Sequence, residues 1–249
     1  MAFGTTARRV AIVAPVVALL IGGIALALWI QDSDEVTSGP STTTSTTPTS
    51  TTSTTAPRPG GPISIDEAAT VVWPDPGGTR RFTSPSDAAR SFTVDLLGFD
   101  DPVLGAFQQG DNRSGEVEVQ PRQDGPVTTL FVRRLSDDSW WVLGAATRAI
   151  ELTAPIPLSA IDNPLELAGR ASAFEGTVQV SVFARGSTDP LGEGFVTGSG
   201  GPELGPFHDY VTWANPGGGW GSVVLYTVSA RDGSVEQAVA IPVGFIGGD

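Results

Sequence analysis

The chain has 249 residues, with 27 acidic and 14 basic side chains, one His and no Cys, and every basic residue is Arg. Without Lys or Cys it offers no P-loop lysine, Schiff base, thiolate nucleophile, disulfide, Cys-held zinc or iron–sulfur cluster. A net charge of −13 argues against duplex nucleic acid and anionic lipid surfaces as partners, since both require a basic footprint.

Residues 1–9 carry Arg8 and Arg9, and Val10–Ile30 follows as 21 residues without a charge. A helix of that length crosses a hydrocarbon core of about 30 Å. Arg on the leading side and Asp32, Asp34 and Glu35 on the trailing side set a cytoplasmic N-terminus and an extracytoplasmic remainder. Trp29 falls where an interfacial anchor is expected. A cleaved signal peptide is the rival reading, because Ala25-Leu26-Ala27 fits a processing site. The apolar run continues past it to Ile30, which favours an uncleaved, single-pass transmembrane helix over residues 10–30 in the cell membrane.

Residues 31–62 read as a disordered linker. Thr37–Pro62 holds 11 Thr, 5 Ser and 5 Pro among 26 residues. So few apolar side chains cannot offset the entropy of folding. The composition also resembles O-glycosylated stalks. Its expected role is to hold the folded part away from the bilayer.

Residues 63–149 read as a small α+β domain. Ser84-Pro85-Ser86-Asp87 is a helix start, with Ser at N-cap, Pro at N1 and a carboxylate at N3. Ala88, Ala89, Phe92, Leu96 and Phe99 recur at helical spacing, and Gly98 suits the C-terminal cap. Alternation then predicts strands at Gly115–Gln120, Val127–Leu135 and Trp140–Arg148, the last two joined by a turn at Ser136–Ser139. Ile65–Trp73 adds a strand or a helix.

Residues 150–249 read as an all-β sandwich. Thr177–Phe183 alternates cleanly, with Val178, Val180 and Val182 inward and Thr177, Gln179 and Ser181 outward. Further strands are expected at Leu165–Ala168, Gly194–Thr197, Phe207–Trp213, Val223–Ser229 and Val235–Val243. Gly, Pro, Asn and Asp clusters separate them, which suggests an immunoglobulin-like sandwich. The overall fold expected is thus a single transmembrane helix, an α+β domain and an all-β immunoglobulin-like sandwich.

Several spaced runs carry a family resemblance. They are Ile150–Pro155, Pro164–Ala171, Phe174–Val178, Gly205–Phe207, Ser229–Ser234 and Ile241–Val243. In this order they resemble the immunoglobulin-like domain of bacterial spore-germination proteins, over about Ile150–Phe245. The resemblance implies an exported bacterial protein with a role in cell-surface interaction, and it carries no catalytic residue. The 63–149 unit does not share it. The all-Arg composition, rich in Ala, Gly and Val, points to a high-GC genome, and an actinobacterial source is expected.

Site residues are few. In Phe207–Trp213, alternation turns Phe207, Val211 and Trp213 inward and His208, Tyr210 and Thr212 outward. His208 has no GxSxG elbow to serve, and Asp209 points to the other side. Trp140 and Trp141 face opposite sides of one strand, so one is core and the other is open to solvent or to a neighbouring domain. Trp220 follows a glycine-rich loop. Asp100-Asp101 and Asp137-Asp138 stand beside turn formers without calcium-loop spacing. No catalytic residue, cofactor or metal is expected. The candidate interaction residues are Trp140, Trp141, His208, Tyr210 and Trp220. The expected partner is an envelope protein or, in the alternative reading, a cell-wall glycan or peptidoglycan stacked on exposed Trp. A wall hydrolase with paired carboxylates is the third reading.

Overall fold

The computed structural model describes residues 61–247. The expected cytoplasmic segment 1–9, the membrane helix 10–30 and the linker up to residue 60 lie outside the described residues. Among the described residues no helix is long and apolar enough to cross a membrane.

The open question at Ile65–Trp73 resolves into a short helix followed by a single bridge residue. Helix α1 spans Ile65–Ala69 under a capping box in which the Ser64 hydroxyl accepts the Glu67 N–H and Glu67 reaches back to the Ser64 N–H. The chain then extends, and Trp73 pairs with Val142. Helix α2 spans Pro85–Asp95 with Ser84 as its N-cap, accepting the Asp87 N–H at 3.1 Å. It buries Ala88, Ala89, Phe92 and Thr93. The buried Thr93 hydroxyl is satisfied by the Ala89 carbonyl at 2.7 Å. Leu96 caps the helix, and Gly98 follows at φ 75°, the left-handed conformation that suits glycine.

The strands are β1 (Val103–Leu104), β2 (Gln108–Gln109), β3 (Ser114–Gln120), β4 (Thr128–Arg134), β5 (Trp140–Thr147), β6 (Ile150–Ala154), β7 (Ala160–Ile161), β8 (Leu165–Ala171), β9 (Thr177–Ala184), β10 (Pro190–Thr197), β11 (Gly205–Val211), β12 (Gly219–Val228) and β13 (Val235–Phe245). A ten-stranded sheet runs β1-β3-β4-β5-β13-β12-β9-β10, with β2 beside β3 and β7 beside β13. A three-stranded sheet runs β11-β8-β6. It closes the sandwich over Leu165, Leu167, Val178, Val180, Val182, Phe207, Val211, Val223, Leu225 and Val243. β6 lies in the small sheet, and β7 crosses to run parallel to β13 in the large one.

The sequence reading divides the folded part between Ala149 and Ile150, whereas the large sheet runs across that divide. β5 meets β13 through the pair Ala145–Ala240, and Gly144 is held so close that a Cβ there would lie 2.7 Å from the Ala240 carbonyl. Thr147 donates to the Gln237 side chain at 2.5 Å, and the Ala238 N–H donates to the Thr128 hydroxyl at 3.1 Å. The core under α2 unites Ala88, Phe92, Leu130 and Val142 with Phe183, Val224, Ala238 and Ala240 of the second half. The physical reason is legible afterwards. Val223-Val224-Leu225 and Ala238-Val239-Ala240-Ile241 are unbroken apolar runs, which is how a strand buried on both faces reads. Ser181, expected to face outward, is only 2% exposed. It shares a strand face with Phe183, which belongs to the core of the first half.

Candidate interaction face

The sandwich has two outer surfaces. One is the face of β9, β12 and β13 whose Phe183, Val224 and Ala240 enter the core under α2. The other is the outer face of β6, β8 and β11, where alternate residues stand in solvent. Leu165 and Leu167 point inward, so Glu166 and Arg170 stand outward with Glu151 and Thr153 of β6. On β11, Phe207 and Val211 are buried, while Pro206, His208 and Tyr210 are exposed.

The antiparallel register places Tyr210 opposite Glu166 and His208 opposite Ala168. The small Ala168 side chain leaves room for His208 to reach diagonally, and its Nε2 lies 2.8 Å from Glu166 Oε1. The His208 and Tyr210 rings are 5.6 Å apart and tilted by 55°. The Tyr210 residue is 57% exposed. Arg170 donates to the Leu204 carbonyl at 2.8 Å, which draws the cation of this face toward the loop before β11. Asp209, of inward parity, is nevertheless exposed and adds a carboxylate at this edge.

The structure thus brings His208 and Tyr210 together as the alternation predicts, and adds Glu166 and Arg170, which the sequence reading did not single out. Their signal was present in Leu165-Glu166-Leu167, whose alternation turns Glu166 outward beside whichever strand pairs with it.

The tryptophans are placed differently. Trp141 is fully buried and therefore drops out as an interaction residue. Its indole N–H donates to Asp137 at 3.1 Å, and the Arg81 guanidinium lies 4.7 Å above its ring. Trp140 packs against the core under α2 and meets Phe107 edge-on at 5.2 Å. Trp220 is half-buried beneath Arg185, whose guanidinium is 5.5 Å from the ring centre. Burial lowers the pKa of Arg185, against the opposing pull of Asp75.

Asp137 is a structural carboxylate, holding Arg81 at 3.2 Å and the Ser139 N–H at 3.0 Å. Asp138 lies 3.7 Å from Arg113 and 3.9 Å from Arg134. Asp100 and Asp101 border a cleft of about 540 Å³ at the joint of the two halves, with Arg122, Arg231 and Asp232. Hydrogen bonds led by the Ser234 hydroxyl, then Ser229, hold the Asp232 carboxyl well below the ordinary aspartate range. Arg122 is already paired with Glu236 at 3.2 Å across this joint.

Residues 149–234 match the family model of the immunoglobulin-like domain of bacterial spore germination. The match ends just before β13, the strand that joins the sandwich to the first half. No curated protein and no solved structure matches the chain.

Proposed function

We propose that this chain is an envelope-displayed interaction protein, anchored by residues 10–30 and raised on its Thr-rich linker, that docks a protein partner on the outer face of β6, β8 and β11. One observation carries this reading. On the large-sheet side of the sandwich the chain's own first half engages β9, β12 and β13 and leaves only the edge strand β10 open with Phe195, whereas the small sheet holds His208, Tyr210 and Glu166 in solvent. The match to a germination-type immunoglobulin-like domain supports binding rather than catalysis as its mode of action.

A protein is favoured over a glycan because the tryptophans that would stack on sugar are occupied. Trp141 is buried, the partly buried Trp140 packs against the core and Phe107, and Trp220 lies beneath Arg185. The size of the face also matters. Three strands about 4.8 Å apart and about 3.3 Å per residue give a flat footprint of roughly 300 Å², against roughly 800 Å² per partner in a stable complex. The face is therefore the centre of a contact that is transient or spreads onto its rim.

The test is photocrosslinking in living cells from the full chain carrying a benzophenone amino acid at Tyr210, with Arg90 on the exposed side of α2 as the comparison. Discrete protein adducts from the first position and none from the second are expected. No adducts from either, or the same adducts from both, would overturn the reading.

A further inference from the structure

Three arginines among the described residues lie over tryptophan rings. Arg80 is 5.3 Å from the ring centre of Trp73, Arg81 is 4.7 Å from that of Trp141 and Arg185 is 5.5 Å from that of Trp220. Each also answers to a carboxylate. Arg80 meets Asp95 at 2.6 Å, Arg81 meets Asp137 at 3.2 Å, and the charge of Asp75 acts on Arg185. The shared physics is simple. A ring face carries negative quadrupole charge, a carboxylate supplies the counter-charge, and a guanidinium is flat and weakly hydrated enough to use both.

Tyr210 and Glu166 form such a ring-and-carboxylate pair without an arginine. They are direct cross-strand partners on adjacent strands. The Tyr210 ring has His208 at one side and no arginine over it among the described residues. Arg170, on the same face, is tied to the Leu204 carbonyl instead. Asp209, next to Tyr210 in β11, is exposed as well, and Glu151 stands farther along the sheet as the cross-strand partner of Arg170. The whole chain carries −13, so a cationic partner is drawn in and an anionic one repelled.

We infer that Tyr210 and Glu166 receive an arginine side chain of the partner protein, as Trp141 and Asp137 receive Arg81 within the chain. The inference rests on the docking reading above and names the chemistry of its partner. Glu166 turns one oxygen to His208 and leaves the other for the incoming guanidinium. The Tyr210 ring supplies the stacking surface.

The chain's two tyrosines make the test direct. The full chain in neutral detergent is labelled with 3-fluorotyrosine, giving one fluorine signal from exposed Tyr210 and one from half-buried Tyr226. The probe is an octapeptide alternating glycine and arginine, compared with the same peptide carrying citrulline, which keeps the shape and loses the charge. The arginine peptide should move the Tyr210 signal to saturation and leave Tyr226 in place, while the citrulline peptide moves neither. Glu166→Gln should weaken the arginine peptide by about fivefold or more. Equal shifts from both peptides, or unchanged affinity in Glu166→Gln, would overturn the inference. If the peptides are inert while Tyr210 still crosslinks a protein in cells, the guanidinium inference falls and the docking face stands. If crosslinking is silent as well, both fall.

Discussion

On one side of the sandwich, Phe183, Val224, Ala238 and Ala240 share a core with Phe92 and Leu130 of the first half. On the other, Glu166, His208 and Tyr210 share nothing but one another and solvent. The two surfaces belong to the same sandwich of β6 to β13, yet their residues differ in kind. Mostly apolar side chains line the first, Phe183 the largest of those named, where close packing requires fitted volumes. Charged and amphipathic side chains line the second, where each polar tip is left to water. The contrast teaches that the residues at the alternate positions of one strand set decide whether a sandwich face is buried in folding or left open to solvent.

The strongest way to break this comparison is to hollow the shared core. Phe92 is fully buried under both halves, and Phe92→Ala should cost about 3–5 kcal/mol. Because the core is common, the loss should appear in one thermal transition and in faster hydrogen exchange of β12 and β13 as well as of α2. A sandwich whose exchange is unchanged would mean that the halves fold separately. Next comes the joint itself. Gly144→Ala would drive a Cβ to within 2.7 Å of the Ala240 carbonyl. A loss of about 1–3 kcal/mol is expected, with exchange rising at Ala145 and Ala240 first.

A milder test uses acid. Burial pushes the Glu67 carboxyl up, but hydrogen bonds from Ser136 and Ser64 outweigh it and hold it below the ordinary 4.5. A depressed carboxylate pKa stabilises the fold above the unfolded value, and that contribution is lost as pH falls through the folded one. Helix α1 should therefore loosen from the β4–β5 turn below pH 4.5, read as amide exchange at Ile65–Ala69. Ser136→Ala, which removes the 2.5 Å hydrogen bond to Glu67, should blunt that dependence. The smallest effect on stability is expected on the open face. Tyr210→Ala should shift unfolding by less than about 0.5 kcal/mol while abolishing partner crosslinks from a probe at Pro206 on the same face. A large destabilisation would place Tyr210 in the fold rather than in recognition.

Much of this was legible in the sequence, and particular residues show why the rest was not. The cap at Ser84 and the helical spacing of Ala88, Ala89 and Phe92 gave α2, because local chemistry decides a helix start. Period-two alternation put His208 and Tyr210 on one outer face, because a strand's faces follow from parity alone. Parity does not say what covers a face. It left Ser181 looking solvent-exposed and both adjacent tryptophans open to interpretation until the core under α2 and the Arg81 stack placed them. The two-residue strands β1, β2 and β7 escaped notice because so short a run carries no period. Glu166 became a site residue only through register, which pairs it with Tyr210 across 44 positions' difference in number.

The single histidine of a chain without lysine offers the most direct measurement of the central claim, that the outer face of β6, β8 and β11 is the one kept for a partner. Diethyl pyrocarbonate modifies imidazole, and His208 is the one side chain of that type here, with 58% of its side chain exposed. In the purified full chain, His208 should be modified rapidly. In intact cells the account predicts strong protection of His208, released when the partner is stripped away by high salt. Equal modification rates in cells and in purified protein would contradict it.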